Sequence, residues 1–419
     1  MSYWFNAPGL RELAPLGSSA TARSLSSTFF TPKMFIGTNA IPERGGGVVR
    51  HVAMYCQRKR AFIITDPHIT NLASRVATAF QNGGFTTEVW AHSEPEVPVE
   101  NVRACAEAMK AFEPDVIVPV GGGSVMDLAK AAWILYERPD ITDLRTLSPV
   151  TPLGLRQKAQ LVAVPTTSGT GSETTMAAVL ADTEAHRKVP ISSRELVPDF
   201  AVIDPAFTAG MPPRLTAGTG LDALAHAMDC AISAVSNDIT DALAVKAIEL
   251  IFKYLPRAYR NPRDREARFK MHLASTMAGM AFGNGACHLT HSQGHALGKV
   301  FDIHHGIAVG VFIVPTLQFC APVTDRYLQV CRALDIPGDT PEAKLAGLTG
   351  AVKKLLASLD VAPTLEGLGI TRQQLDENME RLVNDAYEDP DTFASPRWVS
   401  REECRRIFEY AFDGRDIDF

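Results

Sequence analysis

Five of the eleven histidines fall between positions 288 and 305: His288, His291, His295, His304 and His305. His291 and His295 stand four residues apart, so on a helix they share a face, one turn above the other. His305 follows a glycine-containing break, in a loop or at the start of a next helix. Upstream, Asp222 and His226 repeat the four-residue spacing inside the apolar stretch Gly220-Leu-Asp-Ala-Leu-Ala-His-Ala. Three imidazoles and one carboxylate turned toward each other can hold a divalent metal and leave a position open for a substrate oxygen. These spacings predict a metal-centred active site. A shell of three nitrogens and one oxygen suits Fe2+ and Zn2+ alike.

A second chemistry is written in small residues. Asp115-Val-Ile-Val-Pro-Val120 runs into Gly121-Gly122-Gly123-Ser124, then Val-Met-Asp127-Leu-Ala-Lys130. A strand, a glycine turn and a helix start expose bare N–H groups at the positive end of a helix dipole, which favours a phosphate. Glycine also lets the backbone come close to a pyrophosphate. This is not the GxGxxG fingerprint, because Met126 stands where its last small residue belongs. A plain tight turn reads equally well here. Thr166-Thr-Ser-Gly-Thr-Gly-Ser172 follows the apolar run Leu161–Val164 and places hydroxyls and amides at a strand's C-terminal edge, where α/β folds bind ligands. Asp66 closes another apolar run, 61–65. An acid there accepts both ribose hydroxyls of an adenosine and repels a 2′-phosphate, favouring NAD over NADP.

The elements that must position these groups change character along the chain. Residues 1–28 end in a Ser/Thr/Ala-rich run and read as an N-terminal extension. From 29 to 207, short strands at 33–37, 61–65, 85–91, 115–120 and 161–164 alternate with helices at 46–56, 69–82, 98–112 and 124–136. That order predicts an α/β domain around a parallel sheet covered on both faces. Residues 138–158 break the rhythm as an insertion, and 174–181 and 200–204 are expected as further strands, a β-hairpin and a last sheet strand. From 208 to 419 the chain reads as all-helical, with segments at 214–234, 238–254, 265–283, 288–299, 307–321, 324–334, 342–359 and 372–386.

Composition narrows the class. A length of 419 residues, 46% of them hydrophobic and 21% charged, is ordinary for a globular protein of two domains. A net charge of −6 gives no reason to expect nucleic acid or an anionic membrane as partner. Seven cysteines without a CxxC pair suit reduced thiols in the cytoplasm better than a disulfide framework. No stretch reaches the ~18 uninterrupted apolar residues of a membrane helix, and the N-terminus lacks the pattern of a secretory signal.

Taken together, GGGSxxDxAK at 121–130, PTTSGTGSE at 165–173, DALxHA at 222–227 and HSxxHxLG with a later HG at 291–306 resemble the iron-dependent (group III) alcohol dehydrogenases. The stretches 215–259 and 271–282 are especially similar to the alcohol dehydrogenase half of the bifunctional aldehyde/alcohol dehydrogenases. The resemblance implies an α/β dinucleotide-binding domain, a helical metal-binding domain and the architecture of dehydroquinate synthase. It implies hydride transfer between NAD(H) and a small primary alcohol or aldehyde. By position, the metal ligands would be Asp222, His226, His291 and His305. His295 would lie beside the substrate without ligating, a candidate proton relay; catalysis would rest on His295, Asp222 and His291. Cofactor contacts would be Asp66, Gly122, Gly123, Ser124, Asp127, Thr166, Thr167, Ser168, Thr170 and Lys188. A homodimer is expected.

Two departures from the family pattern bear on the substrate. His304 replaces the usual proline before His305 and is expected to compete as a ligand or line the pocket. Gln293-Gly294 replaces Met-Ala and is expected to enlarge or polarise one wall. The alternative is a metal- and NAD-using lyase of the dehydroquinate synthase type. It needs a basic cluster for phosphate and carboxylate, which 283–306 does not offer.

Overall fold

The computed structural model describes residues 28–147, 149, 151–183 and 187–419; all of the expected extension except Thr28 lies outside them. The chain forms two compact units, 30–210 and 211–419.

In the first unit the apolar runs become strands: β1 (Lys33–Ile36), β2 (Arg60–Ile64), β3 (Thr86–Trp90), β4 (Val116–Gly121), β5 (Gln160–Pro165) and β8 (Phe200–Ile203). They build one sheet in the order β1-β8-β5-β4-β2-β3, and every pairing is parallel. The central strands β4 and β8 are buried at every position, as continuous apolar runs require when helices cover both faces. The helices are α1 (Val48–Val52), α2 (Thr70–Asn82), α3 (Val99–Phe112) and α4 (Gly123–Glu137). Because the strands run one way, the segments after β2, β4 and β5 all leave from the same sheet edge. That edge carries Asp66, the Gly121–Ser124 turn and the Thr166–Ser172 loop.

One helix departs from the expected pattern, while the expected hairpin and insertion are both present. The helix expected at 46–56 shrinks to α1, whose entry at Gly47 has φ 58°, with Ala40 O only 2.3 Å from where a Cβ would sit. Strands β6 (Ala177–Asp182) and β7 (Arg187–Ser192) pair antiparallel as a separate two-stranded sheet. The insertion is fastened to the segment before β8. Glu195 accepts the Leu153 and Leu155 N–H groups at 2.7 and 2.8 Å, and Arg156 donates to Asp199 at 2.6 Å and to the Glu195 and Val197 carbonyls.

The second unit consists, among the described residues, of helices: α5 (Pro213–Ile232), α6 (Asp238–Arg260), α7 (Arg265–Gly285), α8 (Leu289–Phe301), α9 (His305–Cys320), α10 (Tyr327–Ala333), α11 (Pro341–Ser358), α12 (Arg372–Tyr387) and α13 (Arg401–Asp413). The last was not among the expected segments. Its sequence is dense in charge, yet Cys404, Ile407, Phe408, Ala411 and Phe412 form a buried stripe at helical spacing. Glycines set the spacing that matters for the site. A Cβ on Gly306 would lie 1.9 Å from the Gly218 carbonyl oxygen, so α5 and α9 touch backbone to backbone there. That contact places the start of α9, His305, beside Asp222, one turn beyond Gly218.

Candidate metal centre and nucleotide loops

Asp222, His226 and Asp229 occupy positions i, i+4 and i+7 of α5 and so share one face. His291 and His295 come from α8, and His305 opens α9. The Nε2 atoms of His305, His226 and His291 lie 3.0, 3.7 and 3.9 Å from Asp222 Oδ1. Ligands ~2.1 Å from a tetrahedral ion stand roughly 3.4 Å from one another, so these spacings bracket those of a coordination shell. Asp222 Oδ1 and His291 Nε2 are buried with no hydrogen-bond partner, and the nearest approach to Asp222 Oδ1 is that of His305 Nε2. Leaving such groups unpaired costs about 1–3 kcal/mol each, and a bound cation would remove that cost. The residues fit a divalent metal.

The surroundings hold the set in ligating form. Burial opposes ionisation of Asp222, but the imidazoles of His226, His305 and His291 outweigh it and keep the carboxyl well below its usual range. Burial pushes His226 down to about 3, so it is neutral, and Phe282 stacks on its ring at 4.0 Å. Behind His291, Asp229 Oδ2 lies 2.9 Å from Nδ1 and also accepts the His288 N–H at 2.9 Å. A carboxylate can only accept, so Nδ1 carries the proton and the Nε2 lone pair turns toward Asp222, the arrangement that orients metal-binding histidines. The side chains of Asp222, His226 and His291 are 4%, 7% and 3% exposed, against 38% for His305 and 37% for His295. The centre is therefore sealed on one side and accessible beside His305 and His295.

His295 does not join that shell. Its ring stacks on His305 at 5.2 Å, and its Nδ1 lies 2.9 Å from Asp389 Oδ2 and 3.9 Å from Asp391 Oδ2. His304 belongs to none of the close-set ligand groups among the described residues; its exposed ring covers Gly218, one turn before Asp222, where a Cβ would come within 2.5 Å of Cε1. Nor does Gly294 enlarge a wall, because Val309 fills the space beside it and a Cβ would meet that residue's Cγ1 at 2.5 Å and Cα at 2.7 Å. Gln293 is fully buried. Cys287 has its ligand atom within 4.8 Å of those of His226 and His291, and burial pushes its thiol well above the ordinary range. Asp229, Asp389 and Asp391 were missed. Only Asp229 had a readable signal, its place one further turn along the Asp222–His226 face.

The nucleotide loops of the first unit adjoin one another. Gly122 and Gly123 face Thr167 and Thr170, whose Cγ2 atoms would be 3.1 and 2.9 Å from added Cβ atoms. Thr166 N–H donates to Gly121 O at 2.9 Å. The start of α4 has no side-chain cap, which leaves its first amides directed at the sheet edge as in an anion site. Asp127 is engaged on the second loop, accepting from Ser172 Oγ at 3.1 Å and from Val179 N–H at 3.0 Å. Lys130 is buried beneath, its Nζ 2.8–2.9 Å from the carbonyls of Ser172, Thr175 and Ala177. Asp66 Oδ1 accepts the His68 N–H at 2.7 Å. Ser168 is buried, Ser124 opens α4, and Lys188 pairs with Glu96 at 3.0 Å.

Comparison with known proteins agrees with this geometry. Residues 42–205 match the family model described as iron-containing alcohol dehydrogenase, and 216–412 match the C-terminal model of the Fe-containing alcohol dehydrogenase family. The chain is 36% identical over 346 residues to the NADPH-dependent butanol dehydrogenase of Clostridium saccharobutylicum, covering 82% of this chain and 89% of that protein. It is 34% identical over 389 residues to the bifunctional aldehyde-alcohol dehydrogenase of Escherichia coli, covering 85% of this chain but only 43% of that longer protein. A crystal structure of 1,3-propanediol oxidoreductase superposes with a TM-score of 0.84 at 29% identity, covering 93% of this chain and all of that one. The chain belongs to the iron-containing alcohol dehydrogenase family.

Proposed function

We propose that this protein is an NAD-dependent oxidoreductase that interconverts small primary alcohols and aldehydes at a divalent metal held by Asp222, His226, His291 and His305. The observation that carries this reading is the gathering of three Nε2 atoms around Asp222 Oδ1, two of the four atoms being buried and unpaired. When bound, the ion supplies Lewis acidity at a substrate oxygen and the nicotinamide takes or gives the hydride. Asp222 and the three imidazoles fix where that oxygen sits. His295, on the accessible margin, takes the hydroxyl proton in oxidation and returns it in reduction. In the first unit the α4 amides and the facing Thr166–Ser172 loop hold the pyrophosphate, with Gly122, Gly123 and Ser124 closest to it.

Asp66 sets the preference for NAD, by like-charge repulsion of a 2′-phosphate. The similar butanol dehydrogenase is NADPH-dependent; in this chain Asp66 would turn the choice toward NAD. The lyase alternative requires cations to receive a phosphate and a carboxylate. Beside His295 stand Asp389 and Asp391 instead. All seven cysteines are free and buried, which suits a reducing cytoplasm, and no helix among the described residues is long and apolar enough to cross a membrane. We place the protein there as a homodimer. The decisive test is reconstitution: adding Fe2+ or Zn2+ to metal-stripped protein should restore alcohol-dependent NADH formation. Equal activity with the metal removed would contradict the proposal.

A further inference from the structure

His291 and His295 stand one turn apart on α8 and are built alike. Each has its Nδ1 2.9 Å from a carboxylate oxygen supplied by another element, Asp229 of α5 for His291 and Asp389 for His295. Asp389 is itself clamped. It caps the short 3-10 turn Pro390–Ala394, its Oδ1 accepting the Asp391 N–H at 2.9 Å while Oδ2 faces the histidine. The turn is anchored in turn, because Thr392 Oγ1 donates to Ala386 O at 2.9 Å and Ala394 O accepts the Ala234 N–H at 3.0 Å. The Asp389 side chain is 14% exposed, against 37% for His295, so the acid is the fixed partner and the imidazole the accessible one.

We infer that Asp389 is the positioning residue of His295. By accepting its Nδ1–H, Asp389 holds the tautomer whose Nε2 takes the proton of the substrate hydroxyl. This rests on the reading of His295 as the proton relay. In alcohol oxidation the O–H bond gives its proton to Nε2 and the carbinol C–H bond gives its hydride to the nicotinamide. An aldehyde and an imidazolium remain, and the Asp389 carboxylate balances the imidazolium charge until the proton passes to water. With Nδ1 unprotonated instead, Nε2 would carry the hydrogen and could accept nothing. The same carboxylate–imidazole pairing serves two ends on one helix: at His291 it aims a lone pair at a metal, and at His295 at a proton. Nothing in the spacing of the sequence joins positions 295 and 389; the turn after α12 brings them together.

The test compares Asp389→Asn, Asp389→Ser and His295→Asn in protein loaded with one equivalent of Zn2+. Serine keeps the cap on the Asp391 N–H but cannot reach the imidazole, so it separates support of the turn from support of His295. Expected for both Asp389 variants is a fall in kcat of about 100-fold, the scale of positioned acid–base catalysis, with KM for the alcohol and bound metal unchanged. Expected as well is a change in the 15N NMR signature of His295, assigned by its loss in His295→Asn, from the Nδ1–H tautomer to a mixture or to Nε2–H. Asp389→Glu should restore part of both. If His295→Asn slows turnover but Asp389→Ser keeps both kcat and the Nδ1–H tautomer, the inference is overturned and the relay stands. If His295→Asn turns over normally, the relay falls and the role of Asp389 with it. Loss of metal in the Asp389 variants would also overturn the inference, by making Asp389 a support of the whole centre.

Discussion

In the first unit the polar side chains around the glycine turns are spent on one another. Lys130 gives its hydrogens to three carbonyls and two hydroxyls, Asp127 takes two donors from the neighbouring loop, and Lys188 is paired with Glu96. In the second unit Asp222 Oδ1 and His291 Nε2 are buried facing each other's neighbourhood with no hydrogen bond. The difference follows from what each unit offers a ligand. A site made of backbone amides needs its side chains satisfied internally, so that the turns keep their shape. A site made of side chains must leave their atoms unsatisfied until an ion arrives. Substitutions in the first unit should therefore cost stability before function. In the second they should cost metal before stability.

The sharpest contrast is at the ligands. His291→Ala or Asp222→Ala should lose bound metal and about 10³-fold in turnover, the several kcal/mol of charge stabilisation an ion supplies. The thermal midpoint of the metal-free protein should stay near that of metal-free wild type; a variant that kept its metal would break the ligand set. Next, Lys130→Met in the first unit should lower unfolding free energy in denaturant by about 3 kcal/mol, because buried carbonyls lose a charged donor. Metal content should not move, and loss of metal there would undo the contrast between the units. Asp229→Ala leaves the ligands in place but releases His291, and competition with a chelator should show metal affinity weakened about 10–100-fold. The smallest effect is at Asp66. Asp66→Gly removes a like charge, and the ratio of NADP to NAD use should rise about tenfold, roughly 1.4 kcal/mol. An unchanged ratio would take cofactor choice away from this residue.

What could be read from the sequence divides along the same physical line. The alternation of apolar runs and helical stripes is a local signal, and the sheet strands, α2 to α4 and eight of the nine helices described in the second unit follow it closely. Helix α13 escaped because its apolar stripe is diluted by Arg401, Glu402, Glu403, Arg405 and Arg406. Asp222 and His226, like His291 and His295, were legible because helical period alone puts each pair on one face. His305 was less so, since its approach to Asp222 depends on Gly218 and Gly306 letting two backbones touch. At His304 and Gly294, whether a side chain opens or fills a space is decided by the neighbour across the helix interface, Gly218 in one case and Val309 in the other. Asp389 and Asp391 carry no spacing signal toward His295, being 94 and 96 positions away along the chain.

The metal centre itself is tested most directly by X-ray absorption on protein loaded with one equivalent of Zn2+. Expected is a first shell of nitrogen and oxygen only, at about 2.0–2.1 Å, with the outer-shell scattering of three imidazoles. A sulfur scatterer at about 2.3 Å would contradict this, since it would put Cys287 among the ligands in place of Asp222, His226, His291 or His305.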